Sequence, residues 1–408
     1  MSPTLKRILI IVGFLAAAGL IGFGLFVMFK KSTPITRPLP QGTRSTSTLP
    51  ISSERASVTG TTGQIPGSGG LPTAGIIPTP NNQNYYRPEP VTQITADYAV
   101  FTSLNNNGSW RYHNESDGKF YRANVDGALS AMSDQVFYNV EKVTWANSQD
   151  KAVIEYPDGN KIVYNFEQKK QVTLPKHWED FSFSPDGNDL AAKSLGLSPE
   201  SKWLITTKDD GTGTKLIEHI GNNADKVMVN WSPSRQTVAF ALTGEPQGAD
   251  RREVLLLGAN KENFKSLIVE GLNFDPQWSP TGQKLIYSVD SERSDFKPEL
   301  WVVNSFGDAI GNNRQSLQIN TWAHKCTFAS DDTLYCAIPR DLPIGAGMAP
   351  EVARDTFDDL YKIDLKTGLK TGLPLGREVT IDSLSYDKNR HKIIFTDQRQ
   401  SGAYEVNL

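Results

Sequence analysis

The sequence predicts an all-β fold, a seven-bladed β-propeller, and three observations carry that expectation. First, six short segments follow one formula: Trp145-Ala146-Asn147-Ser148-Gln149, Phe183-Ser184-Pro185-Asp186-Gly187, Trp231-Ser232-Pro233-Ser234-Arg235, Trp278-Ser279-Pro280-Thr281-Gly282, Phe328-Ala329-Ser330-Asp331-Asp332 and Tyr386-Asp387-Lys388-Asn389-Arg390. Second, each opens on an aromatic and leads into an apolar run, such as Leu190-Ala191-Ala192, Val238-Ala239-Phe240 or Leu285-Ile286-Tyr287. Third, the aromatics are spaced by 38, 48, 47, 50 and 58 residues. A period of that size built from strand-type segments is the mark of a propeller.

Chain order starts at Ile8–Phe29, 22 residues without a charge, long enough to span a bilayer. The apolar run continues past Ala16-Ala17-Ala18, the one cleavage-like site, so an uncleaved anchor is expected over residues 1–31. Lys6 and Arg7 on one side and Lys30, Lys31 and Arg37 on the other do not decide its orientation. Residues 32–90 follow, of which 34 are Pro, Ser, Thr or Gly. Such a composition cannot bury enough apolar surface to offset ordering, which predicts a disordered linker. A stalk of this kind suits the outer face of a membrane, so the propeller is expected outside the cytoplasm on a single-pass anchor.

The propeller occupies residues 91–408. Tyr98–Ser133 reads as a first blade with a degenerate opening hairpin. In each formula the aromatic ends one strand, Ser-Pro-Asp-Gly makes the turn, and the apolar run returns. Those returning strands lack polar alternation, so burial on both faces is expected. Outer strands follow, including Lys202–Thr206, Glu253–Leu257, Leu300–Val303 and Asp359–Ile363. The final unit supplies only three strands before Leu408, and Val91–Ile94 is expected to add the fourth. Six or eight blades are the alternative counts.

The Trp-Ser-Pro-x-Gly formula resembles the WD40-like repeats of the TolB C-terminal propeller family, most closely at residues 183–192, 231–240 and 278–287. The resemblance runs from about Val91 to Leu408. It implies the propeller fold and leaves function open, because such propellers serve many roles. No segment resembles the separate N-terminal domain that TolB carries ahead of its propeller.

Charge narrows the partners. Residues 1–90 carry a net +6 and the remainder a net −9. An acidic propeller is a poor binder of phosphate backbones, so nucleic acid is not an expected partner. The two cysteines, Cys326 and Cys336, stand on one hairpin. If Phe328 pairs with Tyr335, the thiols face opposite sides of the sheet and act as small buried apolar groups. A one-residue slip would let them bridge.

No nucleophile elbow, phosphate loop, dinucleotide fingerprint or zinc signature is present. The Asn- and Asp-rich segments Asn105–Gly108, Asn114–Gly118 and Asp209–Gly213 suit hairpin turns better than calcium loops. Four residues ahead of the motif aromatics stand Glu141, Glu179, His324 and Asp382. Equal offsets place them at one mouth of the channel, as part of a ring that would suit a divalent cation such as calcium. No other cofactor is expected, and charged strand ends are also ordinary solvated rims. The long segment Pro339–Phe357 carries Leu342, Ile344 and Met348 and is the expected partner-binding loop. Together these features describe a membrane-tethered, non-enzymatic scaffold that binds a protein or an envelope polymer. The alternative is an extracytoplasmic cation-dependent hydrolase or lyase acting at the channel mouth.

Overall fold

The computed structural model describes residues 91–408, apart from 125 and 249. The expected anchor and stalk lie outside the described residues. Among the described residues no helix is long and apolar enough to cross a membrane.

Seven four-stranded antiparallel sheets succeed one another along the chain. Blade I comprises Ala99–Leu104, Trp110–Asn114, Lys119–Ala123 and Leu129–Ala131. The first strands of the next six are Lys142–Trp145, Trp178–Phe183, Val227–Val229, Leu272–Trp278, Cys326–Ser330 and Ile381–Asp387, opening blades II to VII. First strands touch between blades I and II, II and III, III and IV, VI and VII, and VII and I, and therefore line the axis. Blade VII closes as expected: Val91–Thr95 pairs with Ala403–Asn407, setting Val91 opposite Val406 and Gln93 opposite Tyr404.

The motif turns show why those residue types recur. In blade III the Ser184 hydroxyl accepts the Asp189 N–H at 3.0 Å, and Ser279 does the same for Lys284 at 3.1 Å in blade V. The buried serine thus satisfies the first donor of the returning strand, which would otherwise be stranded away from water. Gly282 adopts φ +72°, and a Cβ there would come within 2.8 Å of Ser232 Oγ and Ser234 N of the preceding blade. Glycine is needed there both for the dihedral and for the approach of one turn to the next.

The returning strands are buried on both faces, as their composition predicts. Ala152, Val153 and Ile154 of blade II have no exposed surface. Their packing partners lie across the blade boundaries. Val153 and Val163 of blade II meet Phe183, Leu190 and Ile205 of blade III. Phe240 of blade IV stacks on Trp278 of blade V, ring centres 5.1 Å apart. Each such side chain contributes about 1.5–3 kcal/mol by leaving water, so the core is spread around the ring rather than held inside any one sheet.

Blade I departs from the formula. Leu104 replaces the aromatic, and Asn105–Gly108 makes the turn, with the Gly108 N–H donating to Asn105 C=O at 2.8 Å. The three Asn- and Asp-rich segments are all turns between strands, at Asn105–Gly108, Asn114–Gly118 and Asp209–Gly213.

One pairing corrects the sequence reading. Phe328 lies opposite Leu334, not Tyr335, and Cys326 lies directly opposite Cys336. The two form a disulfide, with Cα atoms 4.0 Å apart. The cause is a bulge between Phe328 and Ser330, which absorbs one residue of the strand ahead of the turn and shifts the register.

Candidate functional site

The channel has two mouths, one where the inner strands begin and one where the motif turns end them. The four residues singled out from the sequence stand near the first. Glu141, Glu179, His324 and Asp382 are all exposed. His324 Nδ1 lies 2.8 Å from Asp275 Oδ2. Asp382 Oδ1 accepts the Gln398 amide at 2.7 Å. Glu179 is paired in register with Lys193 across its hairpin. Glu141 borders a cavity of about 860 Å³ that Tyr138, Tyr156 and Ile162 also line. Among the described residues, no three His, Cys, Asp or Glu side chains are grouped so that they could hold a metal ion.

The polar groups that link blades here stand one residue later than the expected set. Asp180 Oδ2 accepts the Val229 N–H of the next blade at 3.0 Å and pairs with Lys193 Nζ at 3.2 Å. Asp275 accepts the His324 N–H of the next blade at 3.2 Å. Lys325, with only 3% of its surface exposed, donates to both oxygens of the buried Asp358 at 3.0 and 2.8 Å. Asp358 Oδ2 also accepts the Ile381 N–H of blade VII. Asp180, Asp275 and Lys325 share an offset of three from their motif aromatics. A comparison at that offset, rather than at four, would have found them. For Asp180 and Asp275 the inner-strand irregularities account for the displacement: blades III and V each shift register near the start of the strand, at Glu179/Ser182 and Leu272/Asp275.

Burial sets the electrostatics. It lifts the Asp358 carboxyl above its ordinary range, against the pull of the Lys325 ammonium. It also lifts Glu155, against Lys142 and Lys161. The Glu155 backbone carbonyl accepts the Glu141 N–H at 2.9 Å, so this carboxylate belongs to the same mouth, and the sequence reading missed it.

Three long connections decorate this face, joining second to third strands in blades IV, V and VI. The one in blade VI is pinned to that of blade V. Gly345 N–H donates to Asp295 C=O at 2.9 Å, and Gly347 N–H donates to Phe296 C=O at 2.8 Å. Gly347 has no room for a side chain, because a Cβ would fall 2.4 Å from that of Asp290. Leu342 is turned away from solvent. It is 5% exposed and packs with Trp322, Ala346 and Ala353. Ile344 and Met348 are open to solvent, at 76% and 54% exposure.

No family model matches the chain, and no curated protein matches it in sequence. Solved structures do match. The β-propeller domain of Cps50 (Swd1) from Myceliophteria thermophila aligns at a TM-score of 0.53 and 11% identity, covering 78% of this chain and 99% of that one. An oligogalacturonate lyase in complex with manganese aligns at 0.52 and 11% identity, covering 78% and 93%. TolB from Acinetobacter baumannii aligns more loosely, at 0.43 and 11% identity over 65% and 63%. At such identities the likeness is one of architecture: the chain shares the β-propeller fold with proteins of unrelated activity.

Proposed function

We propose that the chain is a membrane-tethered, extracytoplasmic scaffold that binds a protein or an envelope polymer through the face where its inner strands begin. The observation that carries this reading is the blade VI loop. Its backbone is fixed by hydrogen bonds to blade V, yet it offers Ile344 and Met348 to solvent. A fixed loop loses little conformational freedom on binding, so an apolar contact made there is realised as affinity. The disulfide between Cys326 and Cys336 supports an oxidising compartment. The apolar run Ile8–Phe29 supports the tether.

The test is a photo-crosslinking residue placed at Ile344 in the full-length chain in its native membranes. A discrete adduct is expected. It should vanish when Met348 is replaced by Asp, and when Gly347→Ala dislodges the loop. An adduct pattern identical to that of a crosslinker on an unrelated exposed turn, such as Asp209–Thr212, would overturn the proposal.

A further inference from the structure

The second mouth is built differently. A cavity of about 520 Å³ opens where the inner strands end, within the size range of small-ligand sites. Phe183, Trp231, Trp278, Phe328 and Tyr386 bring aromatic surface to it from five blades. None of the described residues that line it carries a charge, although the propeller has a net charge of −9. An adjoining cavity of about 400 Å³ is lined by Asp331, which accepts the Thr281 hydroxyl at 2.6 Å, by Asp387, which is held by Arg390 at 2.6 Å, and by Lys388.

Apart from Ser103, which accepts from Arg111, and Ser279, which accepts the Lys284 N–H, the non-aromatic polar side chains at this mouth are unspent. Asn106, Asn147, Gln277, Thr327 and Ser385 come from blades I, II, V, VI and VII. Among the described residues none of these five side chains has a hydrogen-bond partner. Trp145 of blade II donates its indole N–H to the Phe101 carbonyl at 2.7 Å. The indole nitrogens of Trp231 and Trp278 hold the same place in their repeats but are buried without a partner among the described residues, so these tryptophans offer the mouth their rings rather than their N–H groups.

We infer that this mouth binds a neutral saccharide. Amides and hydroxyls both donate and accept, as the hydroxyls of a sugar do. Aromatic faces suit the apolar faces of a pyranose ring. The lack of charged groups in the larger cavity disfavours uronates, phosphates and cations there. A proline-rich peptide would also find aromatic walls, but proline has no N–H to give the side-chain carbonyls of Asn106 and Asn147. The inference does not rest on the proposed function above, because the two mouths lie at opposite ends of the channel.

The experiment titrates the full-length chain, in detergent, with maltotetraose, cellotetraose, mannotetraose and chitotetraose while following tryptophan fluorescence. A galacturonate tetramer and a proline decamer serve as the charged and peptide probes. Saturable binding of at least one neutral tetrasaccharide is expected. Gln277→Leu and Asn147→Leu should each weaken it by about two- to tenfold, the usual worth of a lost hydrogen bond. Ile344→Asp, at the other mouth, should leave it unchanged. Circular dichroism establishes that each variant is folded. Binding of none of the four neutral sugars would overturn the inference. So would binding of the proline decamer or galacturonate alone, or sugar binding unaffected by both leucine variants.

Discussion

At the scale of single residues, the buried Lys325–Asp358 pair makes the strongest prediction. Both side chains are nearly inaccessible, and together they tie blade VI to blade VII. Lys325→Met leaves a lone buried carboxylate and should cost about 3–5 kcal/mol in chemical denaturation at neutral pH. Burial already raises the Asp358 pKa, and loss of the ammonium raises it further. An acid with a raised folded pKa destabilises the fold above that value, and the penalty falls away as it is protonated. The gap between variant and parent should therefore narrow as the pH falls, and a gap constant with pH would argue against the pair. His113 tests the opposite sign. It is buried, its Nε2–H donates to Phe137 C=O at 3.0 Å, and burial lowers its pKa below 6.5. The folded state resists its protonation, so stability should be full above that value and decline as the pH falls through and below it. His113→Gln should flatten that part of the profile. Neither pair was legible in the sequence, because burial of a lone Lys, Asp or His depends on which strands the ring brings together. The motif serines were legible as turn residues, but their bonds to the returning strand were not.

At the scale of elements, hairpins were readable and their registers were not. Turn residues and apolar runs located the returning strands, because side-chain chemistry acts over a few positions. Register depends on bulges, which add one residue without any sequence signature of their own. The bulge after Phe328 hid the disulfide, and those in blades III and V moved the interblade carboxylates from one offset to the next. Replacing Cys326 and Cys336 by Ala should lower stability by roughly 2–3 kcal/mol, the range for a loop of about ten residues, as measured by urea unfolding. An unchanged midpoint would mean that the hairpin is held equally well without its covalent link. Deleting Val91–Thr95 should cost about 3 kcal/mol or more, because it bares the edge of Ala403–Asn407 and removes the burial of Val91 and Thr95. Calorimetry of the shortened chain, with the rest of the sequence intact, checks this.

For the whole molecule, the repeat period was enough to reveal a closed ring, since each blade buries its core only against its neighbours. The candidate sites were less legible, because a channel mouth is assembled from blades far apart in sequence. The closing pair makes a prediction about topology. Val91 lies opposite Val406, so a short Asn-Gly link from Leu408 to residue 90 should form an ordinary hairpin. A permutant joined there and reopened in the exposed turn Asp209–Thr212 should fold and unfold in one transition near the parent's melting temperature. Failure to fold would show that the order of blade formation matters as much as the final contacts. The same pairing has a consequence for biosynthesis. Strand Val91–Thr95 leaves the ribosome ahead of every blade, yet its partner Ala403–Asn407 is made only after all the strands between them. Until then Val91–Thr95 has no partner, and the nascent ring is an open arc able to accept a strand from another chain. The interval between the two strands is therefore when this protein most needs a chaperone.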